Sequence, residues 1–382
     1  MIYLDNAATS FPKPEAVYGA MLRCMREYCA NPGRSGHRMS IITARAVNEA
    51  RTVISRFFNI RDSMRLSFTK NATEALNIAI RGSLKAGEHA VTTSMEHNSV
   101  IRPLKTMERD AGIELTIVEC DNNGFIDVSD IEKSFKANTR LVICTLASNV
   151  TGVIFPVKEI GSLCRKHGVN LLVDAAQGAG YASIDVSDMN IDMLAFPGHK
   201  GLLGPQGTGG LYVREGIRLN TIMQGGTGSN SEEMYQPDFM PDFLESGTLN
   251  TPGIIGLSEG IKFIESFGFE NLKHYRLLLL KKLIEGIKDI KGAIIYGSSR
   301  AENNAGIAAV NFEGADSVEI SNMLDKEYEI ASRAGLHCAP LAHRTLGTLG
   351  TGIVRLSIGC FNTFDEIDYT INAMRKISER IR

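Results

Sequence analysis

Polar side chains follow each of five apolar runs in the first two-thirds of the sequence, and one of them is a lysine. Lys200 follows the last of these runs, and Asp174 and Gln177 follow the run before it. Asn149 and His97 follow two earlier runs. If the runs are strands of an open α/β sheet, these side chains meet beyond the carboxyl ends of the strands, where ligands bind. We therefore expect a site with an amine, a carboxylate and an imidazole at one edge of the sheet.

Lys200 is the residue best suited to covalent chemistry. The ordinary alternative is that it is a solvated surface charge, as most lysines are. A lysine that follows a buried strand and faces an acid such as Asp174 is instead a candidate for forming a Schiff base. Residues 71–73, Asn-Ala-Thr, open a predicted helix whose free N–H groups and hydroxyl suit a phosphate, although a plain helix cap is the alternative.

Together these features suit pyridoxal 5'-phosphate (PLP). This cofactor needs a lysine for its aldehyde, an acid for its pyridine nitrogen, a flat ring to stack on it and a helix terminus for its phosphate. Lys200, Asp174, His97 and residues 71–73 are of these types. Residues 198–210 include six glycines, which would let the backbone approach a ligand closely. The sequence contains no GxGxxG and no Walker A motif, so a nucleotide cofactor has no support.

The elements that must position these residues alternate between strands and helices. This alternation predicts an α/β fold with an open, largely parallel sheet and helices on both faces. After about residue 250 the pattern changes to long helices and fewer strands, which predicts a second, smaller α+β domain. The predicted strands of the first part are 65–68, 90–93, 114–118, 141–146, 169–174 and 193–196, with helices at 73–80 and 157–167.

Composition limits the class of partner and the compartment. The 382 residues carry a formal net charge of −2, which gives no electrostatic case for nucleic acid or an anionic membrane as the main partner. The longest uncharged run, 141–157, has polar residues at its middle and predicts a strand and a loop rather than a membrane span. The sequence does not start with a basic and apolar leader pattern, so we expect a cytoplasmic protein.

Seven cysteines are spread over the sequence, and their odd number does not predict a disulfide framework. No CxxC pair and no Cys/His metal spacing occurs, so we expect no metal site. The ordinary interpretation is that all seven are reduced and mostly buried thiols. One of them, Cys338, stands in a motif that gives it another candidate role.

The order of several short motifs gives the sequence a resemblance to a known family. The chain resembles the class V aminotransferase-like PLP enzymes of fold type I, and most of all the cysteine desulfurase and selenocysteine lyase group. The similarity covers nearly the whole chain, and the number and order of the motifs make it specific. The motifs are YLDNAA (3–8), NATE (71–74), MEH (95–97), SNVTG (148–152), VDAAQ (173–177), GHK (198–200), ESGT (245–248), RAGLHC (333–338) and VRLS (354–357).

The resemblance implies the PLP-dependent transferase fold type I. That fold has a large domain with a mostly parallel central sheet and a smaller α+β C-terminal domain. We predict that residues 15–252 form the large PLP-binding domain. Residues 1–14 and 253–382 are expected to form the small domain, which carries the loop of the catalytic cysteine.

The resemblance also assigns cofactor-binding roles. It implies that Lys200 carries the cofactor and moves the Cα proton of the substrate, and that Asp174 pairs with the pyridinium nitrogen. Gln177 would bond the ring oxygen, while His97 would stack on the ring and serve in proton transfer. The phosphate would be held by Thr73, the backbone of Ala72, His199 and, from the partner subunit of a homodimer, Thr248.

The substrate and the nucleophile are assigned in the same way. Asn149, Arg333 and Arg355 would bind the amino-acid substrate, with Arg355 forked onto its carboxylate. Cys338 would be the catalytic thiol, because a desulfurase needs a thiolate to attack the substrate sulfur. Arg333 and His337 are expected to favour that thiolate. The Gly-x-His-Cys context favours the second desulfurase group, which includes the selenocysteine lyases, and the other six cysteines keep the ordinary interpretation.

We therefore predict a PLP-dependent, homodimeric cysteine desulfurase, which is both a lyase and a sulfur transferase. It would convert L-cysteine to L-alanine and leave the sulfur on Cys338 as a persulfide for a sulfur-acceptor protein, and L-selenocysteine is a further candidate substrate. One alternative is a class V aminotransferase or β-eliminating lyase in which Cys338 is not catalytic. The other is an interaction protein that only relays sulfur.

Overall fold

The computed structural model describes residues 1–33, 35–298 and 301–381. Its strands are β1 (Ile2–Tyr3), β2 (Leu66–Thr69), β3 (His89–Thr93), β4 (Glu114–Val118), β5 (Thr139–Thr145), β6 (Asn170–Asp174), β7 (Met193–Pro197), β8 (Gly209–Val213), β9 (Ala293–Tyr296), β10 (Ile307–Phe312), β11 (Ile330–Ala331) and β12 (Val354–Ser357). Its helices are α1 (Glu15–Glu27), α2 (Arg38–Phe57), α3 (Ala72–Ser83), α4 (Asn98–Ala111), α5 (Val128–Lys133), α6 (Val157–His167), α7 (Thr251–Phe267), α8 (Phe269–Lys288), α9 (Ser317–Tyr328), α10 (Pro340–Thr345) and α11 (Phe364–Arg380).

The largest sheet has seven strands in the order β2-β8-β7-β6-β5-β3-β4. The strands from β4 to β7 pair in parallel, and only β8 runs antiparallel to its two neighbours. Every residue of β7 is buried, as expected for a strand covered on both faces. The predicted α/β fold with a mostly parallel central sheet is therefore confirmed.

Glycines of residues 198–210 allow neighbouring segments of the protein to pack closely against each other. Two of the six glycines lie in β8, where a Cβ added at Gly210 would come within 2.5 Å of the Phe196 ring on β7. A Cβ added at Gly201 would collide with the carbonyl oxygen of Ala179. The expectation that these glycines make room for a ligand is thus replaced by a packing role at both positions.

The C-terminal part contains a smaller sheet in which β10 pairs antiparallel with β9 and β12. The short strand β1, at the other end of the chain, pairs in parallel with β11. The helix α7 packs Ile254, Leu257 and Ile261 into the core beneath the large sheet. The domain boundaries stay a prediction, and the packing of α7 shows that the region after residue 252 also contributes to the large core.

None of the described helices is both long and apolar enough to cross a membrane. Within the same residues, no group of three or more His, Cys, Asp and Glu side chains is arranged to hold a metal ion.

Candidate active site

A cavity lies at the carboxyl edge of the large sheet. Its position follows the general rule for parallel sheets, because the strands β5, β6 and β7 end beside it. Eight of the residues predicted from the sequence line it: Ala72, Thr73, His97, Asn149, Asp174, Gln177, His199 and Lys200.

Lys200 and Asp174 are the charged groups of the cavity. Asp174 ends β6, is 2% exposed, and accepts a hydrogen bond at Oδ1 from the backbone N–H of Ala176 (2.8 Å). Burial raises the pKa of Asp174, and the Lys200 ammonium opposes that rise. Burial, and next the Arg355 guanidinium, lowers the pKa of Lys200 to about 8. A usable fraction of Lys200 is therefore uncharged near neutral pH, as a nucleophilic amine requires.

The His97 ring is held by the turn that begins α4. His97 is the N-cap of this helix, and its Nδ1 accepts a hydrogen bond from the backbone N–H of Ser99 (3.0 Å). The neutral ring therefore carries its proton on Nε2. Burial, followed by the charge of Lys200, lowers the pKa of His97 to about 4, so the ring is neutral at physiological pH. The Ser99 hydroxyl, which the sequence analysis does not identify, links His97 Nδ1 (2.9 Å) to the Thr73 hydroxyl (2.8 Å).

The N-terminus of α3 borders the same cavity. Asn71 caps this helix by accepting the Glu74 N–H at Oδ1 (2.9 Å), while the N–H groups of Ala72 and Thr73 have no acceptor within the helix. His199 lines the cavity too, and its Nδ1 is buried with no partner among the described residues. Burial lowers the pKa of His199 to about 4. A helix N-terminus near an unsatisfied neutral imidazole suits a phosphate group.

Gln177 joins the cavity to the N-terminal segment. The side chain is 3% exposed, and its Nε2 donates to the carbonyl oxygen of Ala7 (2.9 Å). The N–H of Ala7 in turn donates to the Ser357 hydroxyl on β12 (2.9 Å). The two ends of the chain are thereby fixed against the wall of the cavity.

Arg355 lies in β12 and is only 1% exposed. Its Nη2 pairs with the Asp5 carboxylate (3.0 Å), and its Nη1 donates to the carbonyl oxygen of Asn149 (2.9 Å). Its Nε is buried and has no partner in the described part of the chain. A fork of both Nη atoms onto a substrate carboxylate would have to displace Asp5 and the carbonyl oxygen of Asn149. Asp5 lies in the first motif of the set, but no role was predicted for it from the sequence.

Cys338 is exposed, and the turn that carries it is bonded to the cavity wall. The backbone N–H of Asn98, the residue after His97, donates to the carbonyl oxygen of Cys338 (2.8 Å). Asn149 Nδ2 donates to the carbonyl oxygen of His337 (2.7 Å). His337 and Cys338 have φ angles of 48° and 57°, in a region that is uncommon for residues other than glycine. Such a conformation persists only where the surroundings hold it in place.

The two residues expected to favour the Cys338 thiolate are placed differently with respect to it. Arg333 Nη2 lies 4.0 Å from Cys338 Sγ. The His337 ring is instead bonded through Nε2 to the carbonyl oxygen of Arg333 (3.3 Å). Burial lowers the pKa of His337 to about 2, so this ring is neutral and that part of the expectation is wrong.

Thr248 lies on the exposed surface, and its Oγ1 accepts a long hydrogen bond from Asn31 Nδ2 (3.3 Å). It borders a different cavity, which it shares with Thr69 and Lys70. The role predicted for Thr248, contact with the phosphate of a partner subunit, requires a second chain and stays a prediction.

Glu96 is a completely buried acid that was not among the site residues predicted from the sequence. Its Oε1 accepts hydrogen bonds from the Thr93 hydroxyl (2.7 Å) and the Thr145 N–H (3.0 Å). Burial raises the pKa of Glu96 to about 8, and the charge of Asp174 adds to that rise. Glu96 is therefore mostly protonated at neutral pH, which avoids a second buried anion beside Asp174.

Proteins described as cysteine desulfurases are similar to this chain along its whole length. A probable cysteine desulfurase from Methanothermobacter thermautotrophicus is 35% identical, over 99% of this chain and 94% of the relative. A probable cysteine desulfurase from Pyrococcus abyssi is 34% identical, over 100% of this chain and 95% of the relative. The apo structure of a cysteine desulfurase from Thermococcus onnurineus matches with a TM-score of 0.93 at 33% identity, covering 99% of this chain and 95% of that one.

These matches also settle the fold and the family predicted from the motifs. The structural match, together with the strand order of the large sheet, confirms the PLP-dependent transferase fold type I. The family model for aminotransferase class-V matches residues 2–370. Because this match spans nearly the whole sequence, the chain belongs to the class-V aminotransferase family.

Proposed function

We propose that the protein is a PLP-dependent cysteine desulfurase. The observation that carries the proposal is an exposed thiol, Cys338, in a turn bonded to the wall of a cavity that contains Lys200 and Asp174. An aminotransferase needs such a lysine and acid but has no use for the thiol. The descriptions of the relatives support the same function.

The side chains of the cavity fit PLP. When bound, PLP would supply an electron sink that makes the substrate Cα–H acidic. Lys200 would hold its aldehyde carbon and Asp174 its pyridine nitrogen. The N-terminus of α3 and the neutral His199 ring would hold its phosphate. The fit rests on the types of group present: an amine of lowered pKa, a buried carboxylate and a helix N-terminus.

The remaining tasks would fall to the protein's own residues. Lys200 Nζ would take the proton from the substrate Cα. The Cys338 thiolate would attack the substrate sulfur, so that a new S–S bond forms as the substrate Cβ–S bond breaks. The electron pair of the broken bond stays with the carbon skeleton, which is protonated and leaves as alanine. Cys338 retains the sulfur as a persulfide, and His97, which is neutral, would offer its Nε2–H at the cavity wall.

Measuring the products from L-cysteine and L-selenocysteine tests this function. With PLP and a dithiol reductant, we expect alanine and sulfide from L-cysteine and alanine and selenide from L-selenocysteine. No 2-oxo acid is expected to be required. A 2-oxo acid requirement would instead indicate an aminotransferase, and pyruvate with ammonia would indicate β-elimination. Failure to bind PLP at all would support a protein that only relays sulfur.

We further propose that the protein is a homodimer. Tyr18, Leu22 and Met25 are exposed on one face of α1, at the spacing of successive helical turns, and Met25 is 63% exposed. Met39 and Ile41, near the start of α2, are exposed as well. Exposed apolar side chains that cluster on one helix face are typical of a protein–protein interface.

A charge placed on this face of α1 is expected to separate the subunits. Leu22→Glu would bury a carboxylate against the partner, so we expect the mass in solution, measured by light scattering after gel filtration, to fall from dimer to monomer. Leu278→Glu on α8 is the matched control, because Leu278 is 40% exposed and Leu22 is 47% exposed. A monomeric wild type, or a Leu22→Glu variant as dimeric as the control, would contradict the proposal.

We also propose a cytoplasmic location and a sulfur-acceptor protein as partner. All seven cysteines are free thiols, which is typical of a reducing compartment. The exposure of Cys338 would let an acceptor thiol reach the persulfide and displace its outer sulfur.

A further inference from the structure

A chain of buried polar side chains runs behind Cys338. His337 Nδ1 lies 3.5 Å from His343 Nε2, and the two rings are nearly parallel, at 11°, with centroids 5.6 Å apart. His343 Nδ1 lies 2.8 Å from the Thr348 hydroxyl. His343 is completely buried, and Thr348 is 2% exposed. None of these contacts reaches the cavity, so the reaction proposed above leaves His343 without a role.

The carbonyl oxygen of Arg333 is the last acceptor in this series of hydrogen bonds, and it determines the direction of each of them. The carbonyl oxygen of Arg333 can only accept, so His337 Nε2 carries the proton of that ring. Burial keeps both rings neutral, since it lowers the pKa of His337 to about 2 and that of His343 to about 4. His337 Nδ1 is therefore an acceptor and His343 Nε2 its donor, while the Thr348 hydroxyl donates to His343 Nδ1.

This series of hydrogen bonds leads to the two groups next to the thiol, which are the turn at His337 and Cys338 and the residue Arg333. His337 precedes Cys338 in the turn with two positive φ angles, and its ring bonds the backbone of Arg333. The Arg333 guanidinium is the group that lies 4.0 Å from Cys338 Sγ. The backbone N–H of Thr348 also donates to the carbonyl oxygen of His343 (2.8 Å), which closes the segment after the cysteine onto itself. A shift of the His337 ring would therefore move both Cys338 and Arg333.

We propose that His343 is a positioning residue for Cys338: by donating to His337 it holds the turn that keeps the thiol beside the Arg333 guanidinium. His343 does not touch the thiol and acts only through His337. Without the N–H of His343, Nδ1 of the His337 ring has no hydrogen-bond partner. The turn at residues 337–338 then loses one of the contacts that hold its left-handed conformation. The turnover part of this inference rests on the proposed function, whereas the reactivity of the thiol does not.

The test is the rate at which iodoacetamide alkylates Cys338, followed on the Cys338 peptide by mass spectrometry across the pH range of thiol ionisation. For His343→Leu we expect slower alkylation at neutral pH, because the turn no longer holds the thiol in its position beside Arg333. With L-cysteine, kcat is expected to fall roughly tenfold, in line with the cost of a misplaced reacting group, while KM changes little. His343→Gln keeps an N–H donor and is expected to restore most of both properties.

A matched control separates positioning from general loss of stability. His89 is also completely buried and is bonded through both ring nitrogens to the hydroxyls of Thr139 and Thr116 (2.8 Å each). His89→Leu is expected to lower the melting temperature and leave the alkylation profile of Cys338 unchanged. A folded His343→Leu protein with the wild-type profile would overturn the proposal.

A second variant keeps the test decisive if His343→Leu does not fold. Thr348→Val removes only the hydroxyl that orients His343, and the same change in alkylation, in smaller degree, is expected. An unchanged profile in Thr348→Val would then overturn the proposal. If the wild-type protein forms no alanine from cysteine, the proposed function fails, but the alkylation comparison still decides the role of His343.

Discussion

Replacing Cys338 with alanine is expected to lower alanine formation from L-cysteine by at least about a thousandfold while leaving PLP binding unchanged. In the proposed reaction the Cys338 thiol supplies the sulfur that attacks the substrate. Cys338 is not among the residues that line the cavity, so its loss removes no cofactor contact there. The measurement is the rate of alanine formation in excess dithiol, with cofactor content read from the absorbance spectrum.

Cys29→Ala is the matched control for this prediction. Cys29 is the other exposed cysteine, and its removal is expected to leave the rate unchanged. Alanine formation that survives in Cys338→Ala would exclude the nucleophile role. Running both variants on L-selenocysteine adds information, because selenium that leaves without help from the thiol would mark the protein as a selenocysteine lyase with a dispensable cysteine.

Replacing Lys200 with alanine is expected to abolish covalent retention of PLP and to lower turnover by at least about a thousandfold. Lys200 is the amine of the cavity, and Asp174 lies close enough to act on it electrostatically. The readout is the mass of the Lys200 peptide after borohydride treatment of the loaded protein, together with alanine formation. Lys70→Ala is the control, because Lys70 is an exposed lysine next to the N-terminus of α3. A mass increment found on another lysine would contradict the assignment.

The lowered pKa of Lys200 adds a pH dependence to the same experiment. Only the unprotonated amine attacks an aldehyde, so PLP uptake by cofactor-free protein is expected to rise with pH and reach half its maximum near the Lys200 pKa of about 8. An ordinary lysine would have its midpoint near 10.5. Asp174 raises the pKa of Lys200, so Asp174→Asn is expected to shift the midpoint to lower pH. A wild-type midpoint near 10.5 would show that the reacting amine is not buried.

Helices and strands that have a clear local sequence pattern, such as α6 and β4, were predictable from the sequence. The bounds of α6, 157–167, and of β4, 114–118, agree with the structure. For α6 the reason is visible in its ending, because Gly168 adopts the left-handed conformation (φ 67°) that stops a helix. The residues at the ends of parallel strands also came together as predicted, since the topology brings those ends to one edge.

Features that depend on distant partners were not predictable. The strand β8 begins with two glycines, which disfavour a strand in isolation but fit against Phe196 of β7. His337 is next to Cys338 in sequence, yet its ring is bonded to Arg333 and His343 instead of supporting the thiolate. In both cases the tertiary neighbour decides the role, and the local pattern contains no trace of that neighbour.

The pairing of the first residues with the last part of the chain sets an order of events during synthesis. The strand β1 has its partner in β11, and Asp5 has its partner in Arg355, 350 residues later. The ribosome releases residues 1–5 long before either partner exists, so this segment stays unpaired until β11 and Arg355 have been synthesised. Arg355 therefore pairs with Asp5, and the wall of the cavity gains its support, only once the growing chain includes β12. An interrupted chain would contain most of the sheet but no assembled active site.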